Sequence, residues 1–172
     1  EGKIRQGSRN EVLNVKMSPA PPLVSPLVAH LSELGNTKWL AEFRQATTLF
    51  FKLPSAEQGT DAISEDAMAR TLQVLKETDG ELTHLQYDDK GLVGIAAWGL
   101  MRNTHEDDAD RAVAALQSLA PTFDKHLAVS TSKVLSGFLG AGDYHQFALI
   151  SEGVNRAAAL AMRGDALIDA AT

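Results

Sequence analysis

A few short stretches of this chain carry side chains able to do chemistry. In the run Leu82 to Asp88, period-two geometry puts His84, Gln86 and Asp88 on one side of a strand and Thr83, Leu85 and Tyr87 on the other. Such a polar row could line a ligand site, or it could be the wet face of a half-exposed strand. His105-Glu106-Asp107-Asp108 has the composition of a metal site. Adjacent helical positions point in different directions, so these four cannot converge on one ion. Acidic groups in a first turn offset the helix dipole instead, and the run reads as structural. Glu152-Gly153-Val154-Asn155 opens a helix directly after a strand. There Asn155 could hydrogen-bond a ligand over the sheet edge, or only satisfy local backbone groups.

Other patterns carry less. Gly137, Gly140 and Gly142 lack the terminal Lys-Ser/Thr of a P-loop and precede no helix in GxGxxG spacing. A hairpin needing positive φ is the better account of them. His30, His126 and His145 have no acidic or nucleophilic neighbour at a recognisable spacing, so no Ser-His-Asp arrangement stands out. The absence of cysteine excludes disulfides, thiolate zinc sites and cysteine nucleophiles.

The elements that must position these residues follow from periodicity and capping. Residues 1–22 read as a tail or linker, locally basic through Lys3, Arg5, Arg9 and Lys16 and barred from helix by Pro19, Pro21 and Pro22. Residues 27–34 form a short helix, and a second one starts near Asn36 with Trp39, Leu40 and Phe43 on one face. Ala46–Leu53 is a strand stopped by Pro54. A helix runs from the cap Ser64 to about Asp79, with Met68, Leu72 and Leu75 towards a sheet. A hairpin spans Leu82 to Trp98 around a type I turn at Asp88-Asp89-Lys90-Gly91. The next helix begins at Thr104, with Asp107 as capping-box partner, buries Ala112, Val113, Leu116 and Leu119, and ends near Pro121. Then come a strand (127–135), a glycine-punctuated bend, a strand (146–150), a helix (152–162) and a last short strand around Ala166-Leu167-Ile168.

Strand–helix–strand–strand–helix–strand predicts an α+β fold. Its centre is a ferredoxin-like split βαβ core, a mainly antiparallel sheet with helices on one face and the other face free for a partner or for chemistry. The chain is long enough for one domain with a real core, residues 23–172. A formal charge of -6 and pI near 5.3 argue against a nucleic-acid surface. No apolar run approaches the roughly 18–20 residues of a membrane span. The cysteine-free composition points to the cytoplasm. The first residue is Glu1 rather than Met, as expected of an excised piece of a longer protein.

Taken in register, several motifs resemble the class III nucleotidyl cyclases, in particular the second cyclase half of the soluble, bicarbonate-responsive type and of bacterial cyclase–ATPase proteins. They are Trp39-Leu40-Ala41-Glu42-Phe43-Arg44, Asp88-Asp89-Lys90-Gly91, Gly99-Leu100 and His105-Glu106-Asp107-Asp108 with Arg111-Ala112. Gly137 and Gly140, Val154-Asn155 with Ala157-Ala158, and Gly164-Asp165-Ala166-Leu167-Ile168-Asp169 complete the set. The likeness runs from about Val24 to the end, where the family's domain would continue.

The resemblance implies a reaction in which a nucleoside triphosphate becomes a 3′,5′-cyclic monophosphate and pyrophosphate, at a site between two such domains. Two aspartates of one half would hold the metal ions. The other half would offer a lysine and a threonine or aspartate to the base, an asparagine near the ribose, and an arginine to the phosphate charge. The first metal-binding position falls at Lys52, which cannot ligate magnesium, and the second at Asp88. The base-reading positions fall at His84 and Ala148, the asparagine is Asn155, and the arginine position is Ala159. Losing one preorganised charge-stabilising donor typically costs about 2.7–4 kcal/mol in the transition state.

The resemblance therefore implies a degenerate second-half domain of cAMP/cGMP signalling. It would pair with another cyclase domain, from the same parent chain or a homodimer, and complete or regulate it. The remnant site would lie on the face bearing Lys52, His84, Asp88 and Asn155. There Lys52 could hold a nucleotide or small anion, or be an exposed strand-end lysine. No metal is expected from this half alone; Mg or Mn would enter only if the partner supplies the aspartates. The alternative is an active adenylate or guanylate cyclase working as a dimer. A nucleic-acid-binding module lacks the basic charge and the aromatic stripe it would need.

Overall fold

A computed structural model of the chain describes residues 41–54, 64–88, 91–100, 103–123, 126–141, 144–164 and 166–172. The expected linker, the two early helices up to Leu40, the central turn residues Asp89-Lys90 and Gly142 lie outside these. In chain order the elements are β1 (Glu42–Lys52), α1 (Glu65–Glu77), β2 (Glu81–Asp88), β3 (Gly91–Trp98), α2 (Asp108–Phe123), β4 (Leu127–Ala141), β5 (Tyr144–Ile150), α3 (Glu152–Ala161) and β6 (Ala166–Ile168). The sheet order is β2-β3-β1-β4-β5, antiparallel throughout, and β6 adds to β4 in parallel. β1 through β4 with α1 and α2 make the ferredoxin-like unit predicted from element order.

Alternation along β1 divides the core. Leu49 and Phe51 point to one face with Ala96 and Trp98 of β3 and Leu127 and Val129 of β4. Onto this face α1 lays Ala67, Val74 and Leu75, and α2 lays Ala112, Ala115, Leu116, Leu119 and Phe123. The Phe123 ring meets Phe51 edge-on, with ring centroids 5.7 Å apart. Each fully buried side chain of this size contributes about 1.5–3 kcal/mol, so this layer carries most of the apolar burial. Trp98 seals its end: the indole Nε1–H donates to the Thr78 carbonyl at 2.9 Å, and Gly80 leaves room for the ring.

The opposite face is not left free. Here α3 packs over Ala128 and Phe50 with Ala157 and Ala161, while Val154 joins Ala46, Ile95, Ala97, Leu100, Val134, Phe147 and Leu149. The residues that α3 turns to the sheet are small: Gly153, Ala157 and Ala161. A side chain added at Gly153 would run into Ser132 of β4, with Cβ 2.8 Å from its Cβ. Close backbone approach replaces bulk, and an alanine methyl offers only about 0.8 kcal/mol of burial.

Several boundaries differ from the sequence reading, each for a local reason. β1 starts at Glu42, so Phe43 belongs to a strand and not to a helix; Arg44 fixes this start by donating to the Gly99 carbonyl at 2.9 Å and to Thr104 Oγ1 at 2.8 Å. The buried stripe of α1 is Ala67, Thr71, Val74 and Leu75, and Leu72 is turned outward. Thr71 is tolerated inside because its hydroxyl donates to the Ala67 carbonyl at 2.7 Å. α2 begins at Asp108, four residues later than predicted. The Asp108 carboxylate accepts from the His105 N–H at 2.9 Å, and Asp107 is occupied by Arg111 at 2.8 Å. Pro121 sits within the last turn rather than ending the helix beforehand. Gly137 and Gly140 are strand residues paired with Ala148 and His145, so β4 runs through the predicted bend.

Candidate functional site

Lys52 ends β1 and pairs with Val93 of β3, and Val93 pairs in turn with Gln86 of β2. Lys52, Val93 and Gln86 thus form one row on the face that also carries α3. The Lys52 side chain is half-buried and its stem runs beside Gly91, whose φ of +102 is a backbone conformation that residues with a Cβ rarely adopt. Asp88 closes β2 opposite Gly91. Lys52 and Asp88, the two positions where the resemblance implies metal aspartates, therefore lie at the same end of the sheet, on β1 and β2 with β3 between them.

His84 lies one row further in, opposite Ile95, which is opposite Phe50. A register shift between Leu82 and His84 makes this possible. Thr83 is the extra residue, with its hydroxyl donating to the Ile95 carbonyl at 2.9 Å, and the slip moves His84 to the face opposite Leu82. His84 Nδ1 is buried without a hydrogen-bond partner. Burial pushes the imidazole pKa below its ordinary value, because desolvation disfavours the charged ring. Two strand spacings of about 4.8 Å separate the backbones of β2 and β1, so His84 and Lys52 approach only through their side chains.

The remaining positions lie elsewhere. Ala148 is on edge strand β5 opposite Gly137, alternating with the buried Phe147 and Leu149 and so on the other side of the strand from them. Asn155 and Ala159 are one turn apart and exposed on the side of α3 opposite Gly153, Ala157 and Ala161. The Ser151 hydroxyl caps the helix by accepting from the Val154 N–H at 3.0 Å, which places Asn155 in the first turn. Lys52 lies at the other end of α3: its N–H donates to the His126 carbonyl, and the His126 ring bonds the Ala161 carbonyl at 3.0 Å. Within one chain, Lys52 and Asp88, His84, Ala148, and Asn155 with Ala159 do not converge on one pocket. Lys52 and His84 share the sheet face that α3 covers, whereas Asn155 is exposed on the side of α3 turned away from that sheet.

One constellation escaped the sequence reading. The Asp169 carboxylate accepts from Ser130 Oγ of β4 at 2.7 Å and from Arg156 Nε of α3 at 2.8 Å. Its own N–H donates to the Val129 carbonyl, and Arg156 also donates to the Thr131 carbonyl at 3.3 Å. These bonds, led by that from Ser130, hold the Asp169 pKa below the usual carboxylate range. Only the terminal Asp after a short strand hinted at it.

The lysine at 52 cannot ligate a divalent cation, and among the described residues no three His, Asp or Glu side chains gather around a common point. None of the described helices is long and apolar enough to cross a membrane.

No protein-family model matches the sequence, and no curated protein matches it. Solved structures do match in fold. A bacterial light-regulated adenylyl cyclase aligns with TM-score 0.60 and 14% identity over 81% of this chain and 46% of that one. The adenylyl cyclase CyaB from P. aeruginosa aligns with TM-score 0.58 and 16% identity over 77% and 80%. The dimeric guanylyl cyclase domain of a rhodopsin fusion protein from the aquatic fungus Blastocladiella emersonii gives 0.57 and 14% over 76% and 83%. Identities this low speak to architecture, and on that they agree: this chain has the fold of the class III adenylyl and guanylyl cyclase catalytic domains.

Proposed function

We propose that this is a cyclase-homology domain of cytoplasmic cyclic-nucleotide signalling that pairs with a second cyclase domain and completes or regulates it, with little turnover of its own. The observation that carries this reading is Lys52. On a cyclase fold, a strand-end lysine stands where the resemblance implies a metal-binding aspartate, at the same end of the sheet as Asp88. An ammonium group there repels a magnesium ion and leaves the 3′-hydroxyl of a nucleotide without an activating metal. Alanine at 148 and 159 removes a base contact and a phosphate-stabilising cation.

The separation of the candidate residues supports a shared site. The family pattern assigns the metal positions and the asparagine–arginine helix to different halves, so one chain is expected to hold them apart. Exposed Asn155 and Ala159 would then face the partner. Mg or Mn, if used, would be held by aspartates of that partner, and Lys52 would offer its charge to a phosphate or another small anion.

The test is cyclic nucleotide production from ATP and GTP, with magnesium and with manganese, by this chain alone and mixed with an active cyclase domain. We expect no product from the chain alone and altered rates in the mixture. Ala159→Arg should raise the rate of a productive mixture by about 100-fold or more, the usual worth of one charge-stabilising donor. Robust turnover by the isolated chain, lost on Asn155→Ala, would establish the alternative of a working homodimeric cyclase. Retained Asn155 on the exposed helix face is the observation that favours that alternative.

A further inference from the structure

We propose that Asp169 is a positioning residue, a carboxylate clasp that sets the seat of α3 and through it the place of Asn155; the link to Asn155 rests on the function proposed above. The inference starts from how differently the three helices are held. Leucine, valine and phenylalanine side chains anchor α1 and α2. The fully buried residues of α3 are all small, with only the partly buried Val154 and Leu160 adding bulk beside them, so this surface resists sliding or tilting less than the faces of α1 and α2. Directional bonds therefore carry more of the work of placing it: the His126 ring holds the Ala161 carbonyl at one end, and Arg156 in the first turns reaches the Thr131 carbonyl and Asp169, where bonds from three elements meet.

That carboxylate ties three elements together. From β4 it takes the Ser130 hydroxyl, and from α3 the Arg156 guanidinium. Through its own N–H to Val129 it ends the parallel pairing of β6 with β4. Beyond it the chain turns back, with Thr172 N–H donating to the Asp169 carbonyl and Thr131 Oγ1 donating to Thr172 Oγ1 at 3.2 Å. Residues 166–172 therefore act as a strap along the β4 edge, fastened to the helix by one ion pair. Arg156 is the charged group facing Asp169 from α3, with Glu152 at 3.9 Å on its far side. Arg156 precedes Ala157, which faces the sheet, and follows Asn155, which faces outward. Any rotation of α3 that breaks the Arg156–Asp169 contact therefore moves Asn155.

Hydrogen exchange on the whole chain tests this, using Asp169→Asn, Asp169→Glu, Arg156→Gln and the double variant Asp169→Asn/Arg156→Gln. Protection of α3 amides should fall about tenfold or more in Asp169→Asn, and equally in Arg156→Gln. It should fall no further in the double variant, since the pair acts as a unit. Asp169→Glu should restore part of it, and α1 and α2 should keep their protection. The Asn155 side-chain amide resonances should shift in the same variants. Equal loss across all three helices, unchanged α3 protection, or additive effects in the double variant would overturn the clasp. The exchange pattern does not depend on pairing: a clasp that passes while Asn155→Ala leaves association with a cyclase domain unchanged retires the functional reading and not the clasp.

Discussion

Gly153 and Asn155 sit two residues apart on α3 and place opposite demands on substitution. At Gly153 the missing side chain lets the helix lie against Ser132 and Ser130 of β4. Gly153→Ala should lower stability by about 1–3 kcal/mol, the usual cost of overpacking, read from urea unfolding midpoints. Asn155→Ala, on the exposed side, should change stability by no more than about 0.5 kcal/mol in the same measurement. If both lost equally, the orientation assigned to α3 would be wrong. Single residues were also where the sequence was least legible. The polar alternation of His84 and Gln86 was readable, yet nothing in it announced the extra residue at Thr83 that fixes their face. The pairing of Asp169 with Arg156 and Ser130 joins positions from three elements, and no local pattern marks such a meeting.

Among elements, local signals named most of the structure and misplaced its edges. The Ser64 cap was legible because a hydroxyl before an acidic first turn has a specific use, and its Oγ accepts from the Ala67 N–H at 3.2 Å. Ser64→Ala should cost about 1 kcal/mol, measured by thermal or urea unfolding. Apolar spacing pointed to Leu72 as a core residue of α1, but it is 42% exposed. A helix has several overlapping apolar stripes, and the sheet selects the one containing Thr71 because that hydroxyl is satisfied within its own helix. Leu119→Ala on α2 should cost about 2–5 kcal/mol, while Leu72→Ala should stay near about 0.5 kcal/mol. Glycines read as a bend turned out to lie in β4, since a strand tolerates them when a neighbour supplies the pairing.

For the whole molecule, titration gives one sign. Asp107 and Asp169 have folded pKa values below the unfolded carboxylate value, Asp107 chiefly through its hydrogen bond from Arg111 and Asp169 chiefly through that from Ser130. Their contribution is present above about pH 4 and is lost as pH falls through the folded values. His84, lowered by burial, takes up a proton less readily when folded than when unfolded, so stability also declines as pH drops through about 6.5. The urea midpoint should therefore fall from pH 7.5 to 5.5, before the carboxylates titrate, and His84→Gln should flatten that early decline. A flat wild-type profile over this range would show that the ring protonates freely. The order of elements was enough to place the sheet and its two covering helices. The candidate site was legible only as residue types, because its parts are dispersed over one chain and their meeting would depend on a second.

The central strand β1 has a consequence for how the chain reaches this state. It is synthesised before both of its neighbours, and its partners run from Trp98 back to Val93 on one side and from Ser136 back to Leu127 on the other. Until residues near 136 have emerged from the ribosome, Leu49 and Phe51 have only half a sheet to join. Loop closure over such separations slows folding into the millisecond-to-second range. A nascent chain stalled after α2 should therefore present β1 as an unprotected edge, open to chaperones and to misassembly with its own copies.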